Sequence, residues 1–359
     1  LEETWPDENK KVLFLGEWCR LYNRKHIWKI CDSKTLTYHW DDRQKLYNDY
    51  LYLENLVDNI LEHLKEDLNE LHNTNYNTRY WRIVIGPWLC LALGVFFDRW
   101  ESINSAIKCF KIDESIVVKP ESRIRKSKSM VDFSKNIESD EWNHSIYADI
   151  LEYIGNIKLT YINYKLKPKN NKICYFSLKN IKNKIYRSIN WVSNKLCRNN
   201  DFYFLNTYLD YKTLILLQLK LKQFPSINYM PEGTNIINDI KKKDNILTSW
   251  NTKNEFEMFL KKHIVNYMPC TYLGGYSSMV KKSTFWQQNP KLIWTSNAFH
   301  NNDLFKIYAA SKKCPFIIGQ HGGHYGQGLF SFTEYNEIKS CDFYLKTTAR
   351  KHFPAQLNE

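Results

Sequence analysis

A strand–helix–strand pattern near the carboxyl end constrains the fold of this 359-residue chain more than any other feature. Residues 291–296 (KLIWTS) and 315–319 (PFIIG) are short apolar runs typical of buried strands, and residues 302–313 have the spacing of an amphipathic helix. Such a unit joins two parallel strands by a right-handed crossover. The pattern therefore predicts an α/β fold with Rossmann-like parallel sheets flanked by helices.

The polar segments after these two strands are candidates for a ligand site, because open parallel sheets bind ligands beyond the carboxyl ends of their strands. One is TSNAFH, which contains Ser296, and the other is GQHGGHYGQG. Five of the chain's twelve glycines lie between Gly319 and Gly328, where they allow backbone N–H groups to approach an anion. His321 is suited to bind a phosphate or to act as an acid or base, whereas His324 is interpreted as a loop residue. A tight turn with hydrogen-bonded histidines is the structural alternative.

The amino-terminal third predicts a strand followed by two helices. Residues 11–16 (KVLFLG) are typical of a buried first strand. From residue 41 to about residue 71, apolar positions recur every three or four residues, which predicts one long amphipathic helix. Asp41 or Asp42 stands at its amino end, where a carboxylate suits the free N–H groups. A second, more buried helical region is predicted at 79–108.

The most apolar stretch is IVIGPWLCLALGVFF, residues 83–97. A helix needs about 20 apolar residues to span a bilayer, and this stretch is shorter and contains Gly86 and Pro87. We interpret it as a buried helix that is interrupted, or that starts, near these two residues.

The chain is long for a single hydrophobic core, so more than one domain is expected. We expect an amino-terminal α/β domain with long helices at residues 1–140. A variable, mainly helical, Lys/Asn-rich region should occupy 141–270, and a βαβ segment with the glycine–histidine loop 271–359.

Shorter sequence patterns predict further helices, strands and a loop within these regions. Residues 115–120 resemble a second strand and residues 121–140 a charged loop. Helical spacing recurs at 147–157 and 209–221, and residues 335–348 predict one more helix and strand.

The composition favours certain partners and compartments. A net charge of +13 and a pI of about 9.1 suit a polyanionic partner such as a nucleotide, a nucleic acid, an anionic membrane or an acidic glycan. Lysines that only solvate the surface explain the same charge, and both interpretations stay open. The nine cysteines include no C-x-x-C pair, which excludes a zinc ribbon and a small disulfide framework and fits a reducing cytoplasm.

A second candidate constellation is LGEWCRLYNRKHIW, directly after the first predicted strand. Glu17 there is suited to act as a general base or to bind a hydroxyl, and Arg24 and Lys25 to hold an anion. A surface loop packed on the domain through its aromatic residues is the equal alternative. Cys19 is not favoured as a nucleophile, because no base is placed beside it.

Three further groups carry weaker signals. His39, Asp41 and Asp42 in YHWDD suit a metal ion, but helix capping explains the two aspartates more simply. The basic run RIRKSKS, residues 123–129, is interpreted as a solvated loop.

Two arginines in the sequence RYWRIVIGPW form another candidate group. Arg79 and Arg82 lie on adjoining faces of the second predicted helix. They either pair with acidic residues such as Asp98 or line an anionic cleft, and both alternatives stay open.

Several stretches together resemble a bacterial family of transferases from surface-polysaccharide gene clusters. They are LEETWPDENKKVLFLGEWCRLYNRK, YHWDDRQKLYNDYLYLE, RYWRIVIGPWL, FFDRW and GQHGGHYG, within residues 1–105 and 285–330. The resemblance implies a GT-B-like glycosyltransferase with two Rossmann-like domains, which uses a nucleotide sugar without an obligatory metal or other cofactor. Members usually continue further past the glycine-rich motif, so we expect a shortened or divergent member, or a chain whose second domain is incomplete.

The leading hypothesis is therefore a cytoplasmic glycosyltransferase that acts on a surface-glycan or lipid-linked precursor, in peripheral contact with the anionic inner face of the membrane. By motif position the resemblance assigns the site to Glu17, His321 and Gly322. Glu17, or less favourably Asp41 or Asp42, would deprotonate the acceptor hydroxyl, and His321 would stabilise the departing phosphate. The expected donor-binding residues are Gln320, Gly322, Gly323, Ser296, Arg24, Lys25 and Arg82.

The alternative hypothesis is a non-catalytic basic module that binds nucleic acid or an anionic glycan through the Lys-rich middle of the chain. It gives the glycine–histidine segment no role. Nucleic acid is therefore not the expected partner.

Overall fold

The computed structural model describes residues 1–5, 10–165, 192, 196–226, 228, 246–284, 286–296, 298–320, 322 and 325–346. Its strands are β1 (Val12–Phe14), β2 (Ser33–Thr35), β3 (Glu114–Val118), β4 (Lys158–Ile162), β5 (Phe202–Leu205), β6 (Leu292–Thr295), β7 (Phe316–Gly319) and β8 (Phe343–Leu345). Its helices are α1 (Lys25–Trp28), α2 (Arg43–His72), α3 (Thr78–Cys109), α4 (Met130–Asn136), α5 (Asp140–Ile154), α6 (Tyr211–Lys220), α7 (Glu255–His263), α8 (Tyr276–Ser283), α9 (Ala298–Asn301), α10 (Asp303–Ser311) and α11 (Phe332–Ser340).

All strand pairs among the described residues are parallel. β1 pairs with β2, β3 pairs with β4, and the largest sheet has the order β5-β6-β7-β8. Helix α10 connects β6 to β7 as the sequence predicted, and α11 leads into β8. The protein is therefore an α/β protein, and the predicted strand–helix–strand unit is confirmed.

Helix α3 lies at the centre of the protein and packs against α2, α5, α10 and α11. It is the one helix of the described residues that is long and apolar enough to cross a membrane, and 78% of its most apolar window is buried inside the protein. The predicted interruption near Gly86 and Pro87 is wrong, because both residues lie within the continuous helix. Burial of Ile83, Trp88 and their neighbours on all sides outweighs the hydrogen bond that Pro87 cannot make.

Helix α2 confirms the long amphipathic helix predicted from residue 41. Its amino end is capped by Asp42, whose carboxylate accepts hydrogen bonds from the backbone N–H groups of Gln44 (2.9 Å) and Lys45 (3.1 Å). The apolar stripe is buried at Leu53, Val57, Ile60, Leu64 and Leu68. This placement confirms the capping interpretation for Asp42.

One prediction for the middle of the chain is wrong in part. The described residues of the region 141–270, which was expected to be mainly helical, contain helices α5, α6 and α7 together with the short strands β4 and β5. The expected loop at 121–140 contains helix α4, which begins where the hydroxyl of Ser129 caps the N–H of Asp132. Patterns this short gave no periodic signal. The domain boundaries themselves stay a prediction, and one hydrophobic core includes Trp88, Phe259 and Ile318 from all three regions.

The solvated basic loop predicted at 123–129 is also wrong. The Arg123 side chain is fully buried, and its guanidinium bonds to Asp149 (2.8 Å) and Glu152 (2.6 Å). Arg125 makes a second pair with Asp149 at 2.6 Å. The acidic partners come from helix α5 and neutralise the two arginines, whereas Lys126 and Lys128 of the same run are exposed.

Two glycines of α3 allow a matched test of how α3 packs against α11. A Cβ at Gly86 would lie 2.6 Å from Oδ1 of the buried Asn336. Gly86→Ala should therefore lower the free energy of unfolding by about 1–3 kcal/mol, the usual result of overpacking. At Gly94 the nearest atom, in the ring of Phe332, lies 3.4 Å away. Gly94→Ala should be neutral or stabilising by up to about 1 kcal/mol. Urea unfolding of both variants measures the difference, and equal effects would contradict the described contact.

Candidate active site

The carboxyl ends of β6 and β7 meet at one point of the four-stranded sheet. A Cβ on Gly319 would lie 2.8 Å from Oγ of Ser296 and 3.1 Å from Nε1 of Trp294. Glycine is required here because it lets the chain pass directly beside these side chains. Ser296 is buried, and its hydroxyl donates to the carbonyl of Thr207 over 3.2 Å. We call the region around Ser296 and the loop from Gln320 to Gly328 the C-terminal edge.

The loop after β7 is held in place by hydrogen bonds. The side-chain amide of Gln320 donates to the carbonyls of Gly322 (2.8 Å) and Tyr325 (3.4 Å). Gly326 has a φ of 74°, in the left-handed region, and its N–H donates to the carboxylate of Glu334 over 2.8 Å. Gln320 thus ties together the described residues of the loop, and the backbone groups of Gly322, Tyr325 and Gly326 already have hydrogen-bond partners.

A histidine–carboxylate pair lies at the same edge. His300, in the short helix α9 after β6, places Nε2 at 2.6 Å from Oε1 of Glu337. Glu337 is fully buried and also accepts hydrogen bonds of 3.3 Å from the hydroxyls of Tyr325 and Tyr344. Burial, and then the Glu337 charge, raise the pKa of both tyrosines, so both stay protonated as donors. A carboxylate only accepts hydrogen bonds, so the 2.6 Å contact places a hydrogen on Nε2 of His300.

The residues predicted from the glycine–histidine segment are only partly described. Three of the predicted residues at this edge are described: Ser296, Gln320 and Gly322. Three others lie outside the described residues: His321, Gly323 and His324. Their roles stay predictions.

A second polar concavity, a pocket of about 620 Å³, lies at the carboxyl ends of the paired strands β1 and β2. We call it the N-terminal pocket. Its charged and aromatic lining residues are Glu17, Trp18, Tyr38, Asp41, Asp98 and Arg99, and Thr35 and Thr37 add hydroxyls. Parallel strands again place a polar concavity beyond their carboxyl ends.

Asp98 is the buried centre of the N-terminal pocket. Its carboxylate accepts a 2.9 Å hydrogen bond from the hydroxyl of Tyr38 and pairs with the guanidinium of Arg99. Burial, and then the Asp98 charge, raise the pKa of Tyr38, so its phenol stays neutral. Nε2 of His39 lies 3.7 Å from the same carboxylate, and burial lowers the pKa of His39 despite that neighbour.

Of the site residues predicted from LGEWCRLYNRKHIW, Glu17 lines this pocket, whereas Arg24 and Lys25 do not. The carboxylate of Glu17 is exposed and lies 3.5 Å from the guanidinium of Arg20. The cationic groups of Arg24 and Lys25 lie over the aromatic rings of Trp5 and Tyr22, respectively.

Cys19 is partly buried in the same segment. Burial raises the pKa of the Cys19 thiol, which keeps it protonated and unreactive.

Helix α2 contacts residues near both sites. Asp49 on α2 accepts the indole N–H of Trp40, the residue before the pocket residue Asp41, over 2.9 Å. Two residues earlier, the ring of Tyr47 packs against Phe330, just beyond the glycine loop, at 5.8 Å. Two residues advance about 200° around an α-helix. These two contacts therefore come from different faces of α2, and the residues that line the N-terminal pocket are distinct from those of the C-terminal edge.

Both arginines that the sequence singled out in α3 form ion pairs. Arg82 bonds to Asp58 at 2.8 Å, and Arg79 bonds to Asp342 at 2.8 Å. Both arginines therefore pair with acidic residues, as one of the two alternatives predicted, but the partners are Asp58 and Asp342 rather than Asp98. Arg79 also lines a pocket of about 670 Å³ with Lys312 and Lys313, at the amino ends of β7 and β8. We call it the amino-edge pocket.

The metal interpretation of His39, Asp41 and Asp42 gains no support from the structure. In the described ranges no group of three or more His, Cys, Asp or Glu side chains is arranged to hold a metal ion. Asp42 caps α2, and Asp41 lines the N-terminal pocket.

Sequence reasoning missed several residues that the structure brings into these sites. His300 could have been predicted from the sequence, because it follows strand β6 just as the glycine loop follows β7. Glu337, Tyr38 and Asp98 gave no local signal, since each acquires its partner through the tertiary fold.

Parallel sheets with polar residues at their carboxyl ends, a glycine-rich loop after β7 and a histidine–carboxylate pair characterise this α/β protein. The chain belongs to the LIC12162 family of transferases, whose family model matches residues 1–346. It is therefore a transferase. No curated protein and no solved structure matches the chain.

Proposed function

We propose that this transferase moves a sugar from a nucleotide-activated donor to a surface-polysaccharide or lipid-linked precursor, with the donor bound at the C-terminal edge. The observation that carries the proposal is the convergence there of Ser296, the fixed loop and the His300–Glu337 pair. Membership of a transferase family supports the reaction class. The sugar donor and the GT-B-like arrangement come from the sequence resemblance and belong to the proposal.

Donor phosphates would be bound by N–H groups rather than by a metal ion. The indole N–H of Trp294 is buried at this edge and has no hydrogen-bond partner among the described residues. The backbone N–H of Gly322 and the predicted His321 would add donors. Because Gln320 and Glu334 already hold the loop, these groups need little reorganisation when charge develops on the leaving phosphate.

The chemistry is a displacement at the anomeric carbon. The acceptor oxygen forms the new C–O bond, the bond from the anomeric carbon to the phosphate oxygen breaks, and the nucleotide leaves with that electron pair. The acceptor proton goes to a base. We assign this role to the imidazole of His300, because His300 lies at the same edge as the donor. Glu17, the base predicted from the sequence, lines the N-terminal pocket, and its role stays a prediction that variants can test.

The wider setting is part of the same proposal. The net charge of +13 suits a phosphate-rich donor and peripheral contact with the anionic inner face of the membrane. It equally suits nucleic acid, so oligonucleotides belong in the test.

We expect one member of a panel of CMP-, UDP-, GDP- and dTDP-sugars to raise the melting temperature. A ligand at a hundredfold excess over Kd stabilises by about 2.7 kcal/mol. Gly319→Ala should abolish the shift, because its Cβ would displace Ser296 or Trp294. Gly328→Ala in the same loop is the matched control and should keep it, since the nearest atom lies 3.7 Å from the new Cβ. Stabilisation by oligonucleotides, with no effect of any nucleotide sugar, would overturn the proposal.

A further inference from the structure

We propose that the N-terminal pocket binds an uncharged pyranose ring, as a glycan-binding site separate from the transfer site. Its use for the acceptor or product glycan rests on the proposed function, whereas saccharide binding itself does not. At about 620 Å³ the pocket is within the usual size of a small-ligand site. Trp18, Glu17, Asp41, Asp98 and Arg99 supply the recognition chemistry.

Trp18 gives the pocket an aromatic surface. The ring is 48% exposed and contacts Tyr38 edge to face at 5.8 Å. A Cβ at Gly16 would lie 2.2 Å from a ring carbon of Trp18. Glycine at position 16 thus lets the indole lie directly against the backbone, which fixes its position. A fixed indole is a surface on which the apolar C–H face of a pyranose can stack.

The polar groups match hydroxyls better than phosphate. Sugar hydroxyls both donate and accept, so they can bond to carboxylates and to a guanidinium alike. An anion would face Glu17, Asp41 and Asp98, and the one cationic residue that lines the described pocket, Arg99, is already paired with Asp98. The exposed Glu17 has its own cationic partner, Arg20. This balance disfavours a nucleotide and favours a neutral sugar.

A buried polar atom beside Asp98 indicates where a ligand hydroxyl or a water would complete the network. The His39 side chain is only 4% exposed, and its Nε2 has no hydrogen-bond partner among the described residues. It lies 3.7 Å from Oδ1 of Asp98, too far for a direct hydrogen bond. A hydroxyl that donates to one and accepts from the other would satisfy both, in keeping with the rarity of unpaired buried polar groups.

The test is saturation-transfer NMR of the full chain with methyl α- and β-pyranosides of glucose, galactose, mannose and N-acetylglucosamine. We expect at least one glycoside to bind, and Trp18→Ala to weaken it at least tenfold. Gly16→Ala, which displaces the indole without removing it, should weaken binding as well. Tyr22→Ala is the matched control, because Tyr22 is 84% exposed on the same connection and does not line the pocket. It should bind as the wild type does.

Three results would overturn the inference: no glycoside binds the wild type, folded Trp18→Ala binds as tightly, or glucose 1-phosphate binds more tightly than methyl glucoside. The nucleotide-sugar thermal shift is a separate measurement on the same wild-type protein. Loss of glycoside binding with an intact nucleotide shift would contradict only this inference, and the reverse result only the proposed function.

Discussion

Replacing His300 by alanine should lower the rate of nucleotide release by about 10²–10⁴-fold, the usual contribution of a positioned acid or base. The substrate is the nucleotide sugar that gives the largest thermal shift, with water or an added sugar as acceptor. His300 is held by a 2.6 Å bond to the fully buried Glu337. Loss of the base should reduce kcat while the Kd for the nucleotide sugar changes little, because the proton comes from the acceptor.

Two further variants test this prediction: Glu337→Gln, which alters the partner of His300, and His26→Ala, which is the control. Glu337 acts through His300 as a positioning residue, so Glu337→Gln should reduce kcat less than His300→Ala does. His26 is exposed on the amino-terminal connection, and His26→Ala should leave kcat unchanged. If His300→Ala keeps full activity while Glu17→Gln loses it, the base is Glu17, as the sequence predicted, and our assignment of His300 is wrong.

Asp149→Ala should lower the free energy of unfolding by about 3–5 kcal/mol, because removing one partner of a buried ion pair leaves uncompensated charge. Asp149 has a 1% exposed side chain and bonds to Arg123, Arg125 and the hydroxyl of Tyr267. Without its carboxylate, the fully buried guanidinium of Arg123 keeps only Glu152 as an acidic partner. Urea unfolding measures the loss.

Glu152→Gln is the matched control for Asp149→Ala. The Glu152 side chain is 27% exposed, so water can replace part of its bond to Arg123, and we expect a smaller loss. Burial alone would raise the pKa of Asp149, but Arg125 holds it below its usual value. Its contribution to stability should therefore be complete above about pH 4 and be lost only as the pH falls further. If both variants lower the free energy of unfolding equally, Asp149 is not the more important acidic partner of the two arginines.

The sequence predicted those parts of the fold that local periodicity determines. The amphipathic spacing of α2 and the strand–helix–strand unit β6-α10-β7 were correct, because each segment carries its own apolar pattern. The interruption of α3 at Pro87 was wrong, since burial around the helix overrides a local breaker. The prediction that Arg123 lies in a solvated loop was wrong for a related reason. Its partners Asp149 and Glu152 lie in a later helix, so no local pattern indicates them.

The candidate site was predictable only in outline. The carboxyl ends of two adjacent strands identified Ser296 and the loop from Gln320 as neighbours, which the contact at Gly319 agrees with. The sequence did not reveal that Glu17 lines a different pocket, together with Asp98 and Arg99. Nor did the sequence indicate Glu337, because its segment has the pattern of an ordinary polar helix. Glu337 becomes a buried partner of His300 only in the folded protein, where α11 packs against α3.

A crystal structure of the full chain with the nucleotide sugar that raises its melting temperature tests the central claim most directly. We predict the donor phosphates at the C-terminal edge, within hydrogen-bond distance of Nε1 of Trp294 or of the loop N–H groups, and the sugar facing His300. A nucleotide seated in the N-terminal pocket, or beside Arg79 and Lys312 in the amino-edge pocket, would contradict it.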